Sequence, residues 1–96
     1  MSDENLQTIF AQMRDEIKGK PEFIAKLTPS RGIPSLEVWA RPDEGQPKMI
    51  VSVDVLTDGA GTPLNRWKTV IYDPLLAEIP VSVVQSYAAQ YKIDLN

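Results

Sequence analysis

Residues 48–56 read KMIVSVDVL, the one long run in this chain where β-branched residues recur at every second position. That period is the period of a β-strand. Met49, Val51, Val53 and Val55 fall on one face, while Lys48, Ser52 and Asp54 share the other with Ile50 and Leu56. An apolar face backed by one of mixed polarity predicts a strand that other elements cover on one side only.

Working upstream, residues 35–41 (SLEVWAR) alternate Leu36, Val38 and Ala40 against Glu37, Trp39 and Arg41, which predicts a second strand. Residues 42–47 (PDEGQP) have the composition of a turn and join the two strands as an antiparallel hairpin. Downstream, residues 57–63 (TDGAGTP) form another turn, and residues 65–72 (NRWKTVIY) a third strand whose favoured register sends Trp67 inward and Lys68 outward. Three strands joined by short turns make an antiparallel meander in sequence order.

Ahead of the strands, Ser2 suits the cap of a helix, and Asp3 and Glu4 suit its positive end. Leu6, Ile9, Phe10, Met13 and Ile17 then recur at helical spacing as far as Lys18 and Gly19. Pro21 is placed to open a short helix over residues 22–27, anchored by Phe23, Ile24 and Leu27. Residues 28–35 (TPSRGIPS), with two prolines and a glycine, predict a loop across one end of the sheet. After the strands, residues 75–80 (LLAEIP) fit a helical turn and an extended segment equally. Ser82 and Gln85 have capping-box spacing, and Val84, Tyr87, Ala88 and Tyr91 form a helical stripe through residues 82–92. Ile93 and Leu95 are expected to return to the body of the fold.

Two amphipathic helices and a half-covered sheet satisfy one another when both helices lie on the same sheet face. The expected fold is therefore a single α+β domain over residues 1–96, a two-layer sandwich of order α-(α)-β-β-β-α. Its expected core takes Leu36, Val38, Met49, Val51, Val53, Val55, Trp67 and Ile71 from the strands, and Leu6, Ile9, Phe10, Met13, Tyr87 and Tyr91 from the helices.

Composition narrows the chemistry. Ten basic and thirteen acidic residues among 96 give a net charge of −3, which offers no overall attraction for a phosphate backbone or an anionic lipid surface. The chain has no cysteine and no histidine, which removes disulfides, thiolate chemistry, the commonest metal ligands and the commonest general base. Residues 1–7 (MSDENLQ) lack the basic and apolar regions of an export signal, and no apolar run approaches the ~18 residues that span a bilayer. A cytoplasmic protein without membrane association or cofactor is the expectation.

The remaining candidates for chemistry each have a plainer reading. Asp54, Asp58 and Asp73 near strand ends are turn-forming positions more readily than cation ligands. GAG at 59–61 is followed by neither a lysine-serine pair nor a helix, so it reads as a flexible turn rather than a phosphate loop. Ser35, Ser52 and Ser82 have no base nominated by spacing. The carboxylate pairs Asp15 with Glu16 and Asp43 with Glu44 read as solvated surface. No enzyme activity and no metal site is expected.

What remains is a surface. The uncovered sheet face is expected to carry Glu37, Trp39 and Arg41, then Ile50, Ser52 and Asp54, then Arg66, Lys68, Val70 and Tyr72. Tryptophan, tyrosine and arginine are the residues enriched at interaction hot spots. The expected function is a small non-enzymatic protein-interaction module (an adaptor, subunit or inhibitor, phage-type inhibitors included). It would bind a partner protein or itself through this face, or through residues 35–41 as an exposed edge strand. The plainer reading is that Trp39 packs against the stems of neighbouring cations. The alternative function is single-stranded nucleic-acid binding on Trp39, Arg66 and Lys68, weakened by Glu37 and Asp54 on the same face. A grip on double-stranded RNA would need lysines at the start of the last helix, where Pro80 to Val83 stand instead.

Overall fold

The computed structural model describes residues 3–30 and 32–96, apart from the side chains of Asp3 and Glu4. The expected Ser2 cap lies outside the described residues. The elements run α1 (Asp3–Lys18), β1 (Phe23–Ser30), β2 (Ile33–Ala40), β3 (Lys48–Thr57), β4 (Pro63–Ile71), α2 (Glu78–Gln90) and β5 (Asp94–Leu95). All five strands belong to one mixed sheet in the order β1-β2-β3-β4-β5, antiparallel from β1 to β4, with β5 parallel to β4. The fold is α+β, with both helices contributing to the core on one sheet face.

The expected three-stranded meander is the centre of this sheet, and two strands extend it. Residues 22–27 are not a short helix. Phe23 and Ala25 point into the core, each 3% exposed, with Lys26 outside, so the segment alternates as a strand and pairs with β2 from Phe23↔Ala40 to Ser30↔Ile33. The expected loop at 28–35 is instead the hairpin between them, with Gly32 at φ 79°, a conformation that glycine adopts without the clash of a Cβ. Pro29 is accommodated because β1 lies at the sheet edge, where a missing N–H interrupts no ladder bond. Residues 35–41, expected to be an edge, are therefore largely an interior strand.

A bulge changes the faces of β3. Val38 pairs with Val51 but Trp39 pairs with Met49, leaving Ile50 as the extra residue. Ile50, expected on the uncovered face, is turned inward by the bulge and is fully buried with Val51, while Met49, expected in the core, lies beside Trp39 on the opposite face. The β3–β4 turn is held by Asp58, whose Oδ1 accepts the N–H groups of Ala60 and Thr62, each at 2.9 Å.

The α1 stripe is buried throughout, from Leu6 to Ile17. Phe10 meets Trp67 at 5.1 Å between ring centroids, an aromatic contact of about 0.5–1.5 kcal/mol beyond the area it buries. Trp67 faces inward, as its register predicted, and is wholly buried. The second helix begins at Glu78, four residues before Ser82, because Pro80 is tolerated in a first turn whose N–H groups have no helical acceptor. The buried stripe is displaced from the expected one. Pro80, Val83, Val84 and Ala88 are buried, while Tyr91, expected in the core, stacks on Tyr87 at 6.4 Å at the surface. At its end, Lys92 takes φ 56°, and the Ile93 N–H donates to the Ala88 carbonyl at 2.7 Å, which reverses the chain and seats Ile93 in the core. Leu95 then pairs with Trp67, and Asn96 exchanges backbone bonds with β4.

Candidate protein-interaction surfaces

Register lays the uncovered face out in rows. Ile24, Trp39 and Met49 are cross-strand neighbours, followed by Lys26, Glu37, Ser52 and Val70, then by Thr28, Ser35, Asp54 and Lys68. One apolar row therefore borders two polar ones. Trp39 is half-buried: its Nε1 donates to Glu37 Oε1 at 3.3 Å, and Lys26 Nζ stands 5.3 Å from the ring centroid. The packing cation is thus Lys26, which became a neighbour when β1 joined the sheet.

The structure brings Glu37, Trp39, Asp54, Arg66 and Lys68 onto this face and leaves Arg41 and Tyr72 just past the ends of their strands. Asp54 takes the Ser35 hydroxyl, which also lies 3.1 Å from the Val53 carbonyl; Ser35 is buried, so this contact ties β2 to β3. Arg66 Nε is 3.5 Å from Asp94 Oδ2, and Lys68 is opposite Asp54 in register. Arg41 donates its backbone N–H to the Glu22 carbonyl with its side chain in solvent, and Tyr72 donates its own to the Ile50 carbonyl and is 55% exposed.

The three aspartates considered for a cation stay apart in their contacts: Asp54 is on Ser35, Asp58 in its turn, and Asp73 on Lys48 at 2.9 Å. No group of three or more metal-ligating side chains occurs among the described residues. Asp73 also accepts the Leu76 N–H at 3.2 Å. The Lys48 bond, then that N–H, holds its carboxyl below the usual carboxylate range. Tyr87 is shifted the other way, its hydroxyl raised by burial and then by the Glu16 carboxylate of α1.

Residues 71–79 carry a second surface that sequence reasoning missed. Ile71, Tyr72, Leu75, Leu76 and Ile79 are all exposed, with Leu75 at 88%. Among the described residues only Tyr91 joins them as an exposed large apolar side chain. The cause is local. Asp73 accepts the Leu76 and Ala77 N–H groups, winding Asp-Pro-Leu-Leu into a turn that buries Ala77 and projects Leu75. Beside it lies a groove of about 450 Å³ lined by Ile71, Pro74, Ala77, Glu78, Val81, Ser82 and Gln85. Ile71, expected in the core, forms its strand-side wall. The signal in the sequence was LLAEIP itself, three large apolar residues in six with no period to bury them.

The first surface is a half-buried tryptophan contacted by Glu37 and Lys26, with Arg66 beside Asp94; the second is open and apolar. No helix among the described residues is long and apolar enough to cross a membrane. No family model matches the chain, and neither a curated protein nor a solved structure matches it.

Proposed function

We propose that this chain is a small non-enzymatic protein-interaction module, acting as an adaptor, subunit or inhibitor of another protein or of its own kind. The observation that carries this reading is the concentration of exposed large apolar side chains in residues 71–79. Scattered exposed leucines are ordinary, but a contiguous cluster costs solubility and is typical of a surface that a protein covers. The sheet face around Trp39 contributes the polar half of the same reading, since its ordered charges would select a partner more than strengthen binding. Cytoplasmic residence belongs to the same proposal.

Nucleic-acid binding is less well supported. A base stacking on Trp39 would displace Lys26 from the ring, and Arg66 already has Asp94 beside it. Strand addition is also weakened, because Pro29 on the edge strand lacks a donor.

The test compares immobilised wild-type chain with Leu75→Asp and Trp39→Ala as baits for cell proteins, alongside binding of a labelled single-stranded oligonucleotide across a salt series. A stoichiometric protein partner lost by one variant, or self-association lost by it, supports the module. Absence of both, with oligonucleotide binding that falls steeply as salt rises, replaces it with the nucleic-acid reading.

A further inference from the structure

The sheet has an eight-residue strand, β1, at one edge and a two-residue strand, β5, at the other. β5 pairs with Arg66 and Trp67 of β4. Asn96 takes the pairing one step further, donating to the Trp67 carbonyl at 2.9 Å and accepting the Thr69 N–H at 2.8 Å. Successive residues of a strand aim their backbone groups at opposite neighbours, and the Tyr72 N–H goes to the β3 side, to the Ile50 carbonyl. The Thr69 carbonyl and the Ile71 N–H therefore continue the row that Asn96 uses, and among the described residues no strand stands opposite them. Such a row is a template for one more strand, and unlike Pro29 of β1, Ile71 retains its donor.

Helix α2 supplies the facing wall. Glu78, Val81, Ser82 and Gln85 recur at spacings of three and four, so they share one face of the helix, and they line the groove of about 450 Å³ whose strand-side wall is Ile71. Glu78 is the one charged residue of that lining, and it takes part in no ion pair among the described residues. The walls select the occupant. A bound helix would leave the Thr69 carbonyl and the Ile71 N–H unpaired, because a helix uses its backbone groups internally, and a phosphate backbone would meet Glu78 as a like charge. An extended peptide pairs both backbone groups, and a basic residue on it complements Glu78. Resting on the interaction-module reading, we propose that the groove between β4 and α2 takes an extended, basic segment of a partner protein. The segment adds as a strand at Thr69 and Ile71 in line with β5, sets an apolar side chain between Ile71 and Val81, and brings a lysine or arginine to Glu78. Neither Leu75 nor the Trp39 face is needed for this contact.

The experiment selects eight-residue peptides from a random displayed library on the immobilised full chain, then measures the recovered peptides, synthesised and labelled, by fluorescence anisotropy. Expected are peptides that carry lysine or arginine beside an apolar residue. Their binding should slow amide hydrogen exchange at Ile71, read by NMR, at least about 10-fold, since an unpaired edge amide becomes a paired one. Ile71→Pro removes that donor without removing an internal ladder bond and should weaken binding at least about 5-fold, the effect of one unmade backbone hydrogen bond. Glu78→Gln should weaken it about 2- to 5-fold, the scale of an exposed ion pair. Far-UV circular dichroism checks that each variant is folded, and Ser82→Trp, which fills the groove from an exposed position, stands in if Ile71→Pro is not. Recovered peptides that leave Ile71 exchange unchanged and ignore these variants overturn the groove but keep the module, because the chain then binds elsewhere. Binding at Ile71 that is indifferent to Glu78→Gln overturns the basic character of the partner. Failure to recover any peptide overturns the groove, and if the wild-type bait also captures no protein, the module falls with it.

Discussion

Replacing Trp67 with phenylalanine should leave stability nearly unchanged, although Trp67 is wholly buried at the centre of the core. Its indole Nε1 is buried without a hydrogen-bond partner, the one such side-chain atom among the described residues. An unsatisfied buried donor costs about 1–3 kcal/mol of desolvation. Phenyl removes that donor together with about two ring carbons, and losing those carbons costs about 1.6 kcal/mol at ~0.8 kcal/mol per buried carbon. The terms offset to within about 1.5 kcal/mol, while the contact with Phe10 at 5.1 Å is retained in a smaller form. Trp67→Ala removes the ring altogether and should cost about 3–5 kcal/mol. Urea unfolding followed by circular dichroism reads both variants without relying on the fluorescence of the substituted residue. A loss above about 2 kcal/mol for Trp67→Phe would refute the reasoning, because the indole N–H must then contribute an interaction worth more than its desolvation cost.

Asp73 is ionised more readily in the native chain than in the unfolded one, so it contributes stability above the ordinary carboxylate range that is lost as pH falls through its lowered native value. Asp73→Asn should therefore flatten the acid limb of the urea midpoint below about pH 4, and an unchanged limb would assign that limb to other carboxylates. Lys92 holds a left-handed conformation that glycine adopts more cheaply, so Lys92→Gly should raise the unfolding free energy by about 0.5–1 kcal/mol; a fall would mean that the lysine side chain is needed where it lies. Trp39→Ala should cost about 1–2 kcal/mol, of which Lys26→Met removes only the ~0.5–1 kcal/mol of the cation–π contact, and equal losses from both would contradict that division.

Legibility followed the strength of the periodic signal. Helix α1 and the inward register of Trp67 were readable because each repeats an apolar residue at a period that only one face can bury. β1 was hidden by Pro21 just before it, which suits a helix start, and by Pro29 within it, which suits a loop as well as an edge strand. The bulge at Ile50 was invisible because alternation continues through KMIVSVDVL, and only pairing with Trp39 reveals that one residue is extra. Of the candidate surface, Trp39, Glu37, Asp54, Arg66 and Lys68 share a face as alternation predicted. Lys26, the cation on the tryptophan, could not be foreseen while its strand was read as a helix.

What the sequence determined by itself is the absence of cysteine and histidine and the strands at the centre of the sheet. Missing cysteine and histidine are properties of composition, and alternation is a property of neighbours along the chain. Tertiary structure decided which apolar residues remain uncovered. Ile71 has the pattern of a core residue and Leu75 that of a helix or strand, yet both are exposed. Burial depends on whether another element arrives to cover a side chain. The turn capped by Asp73 starts α2 at Glu78, buries Ala77, and leaves residues 71–79 facing outward.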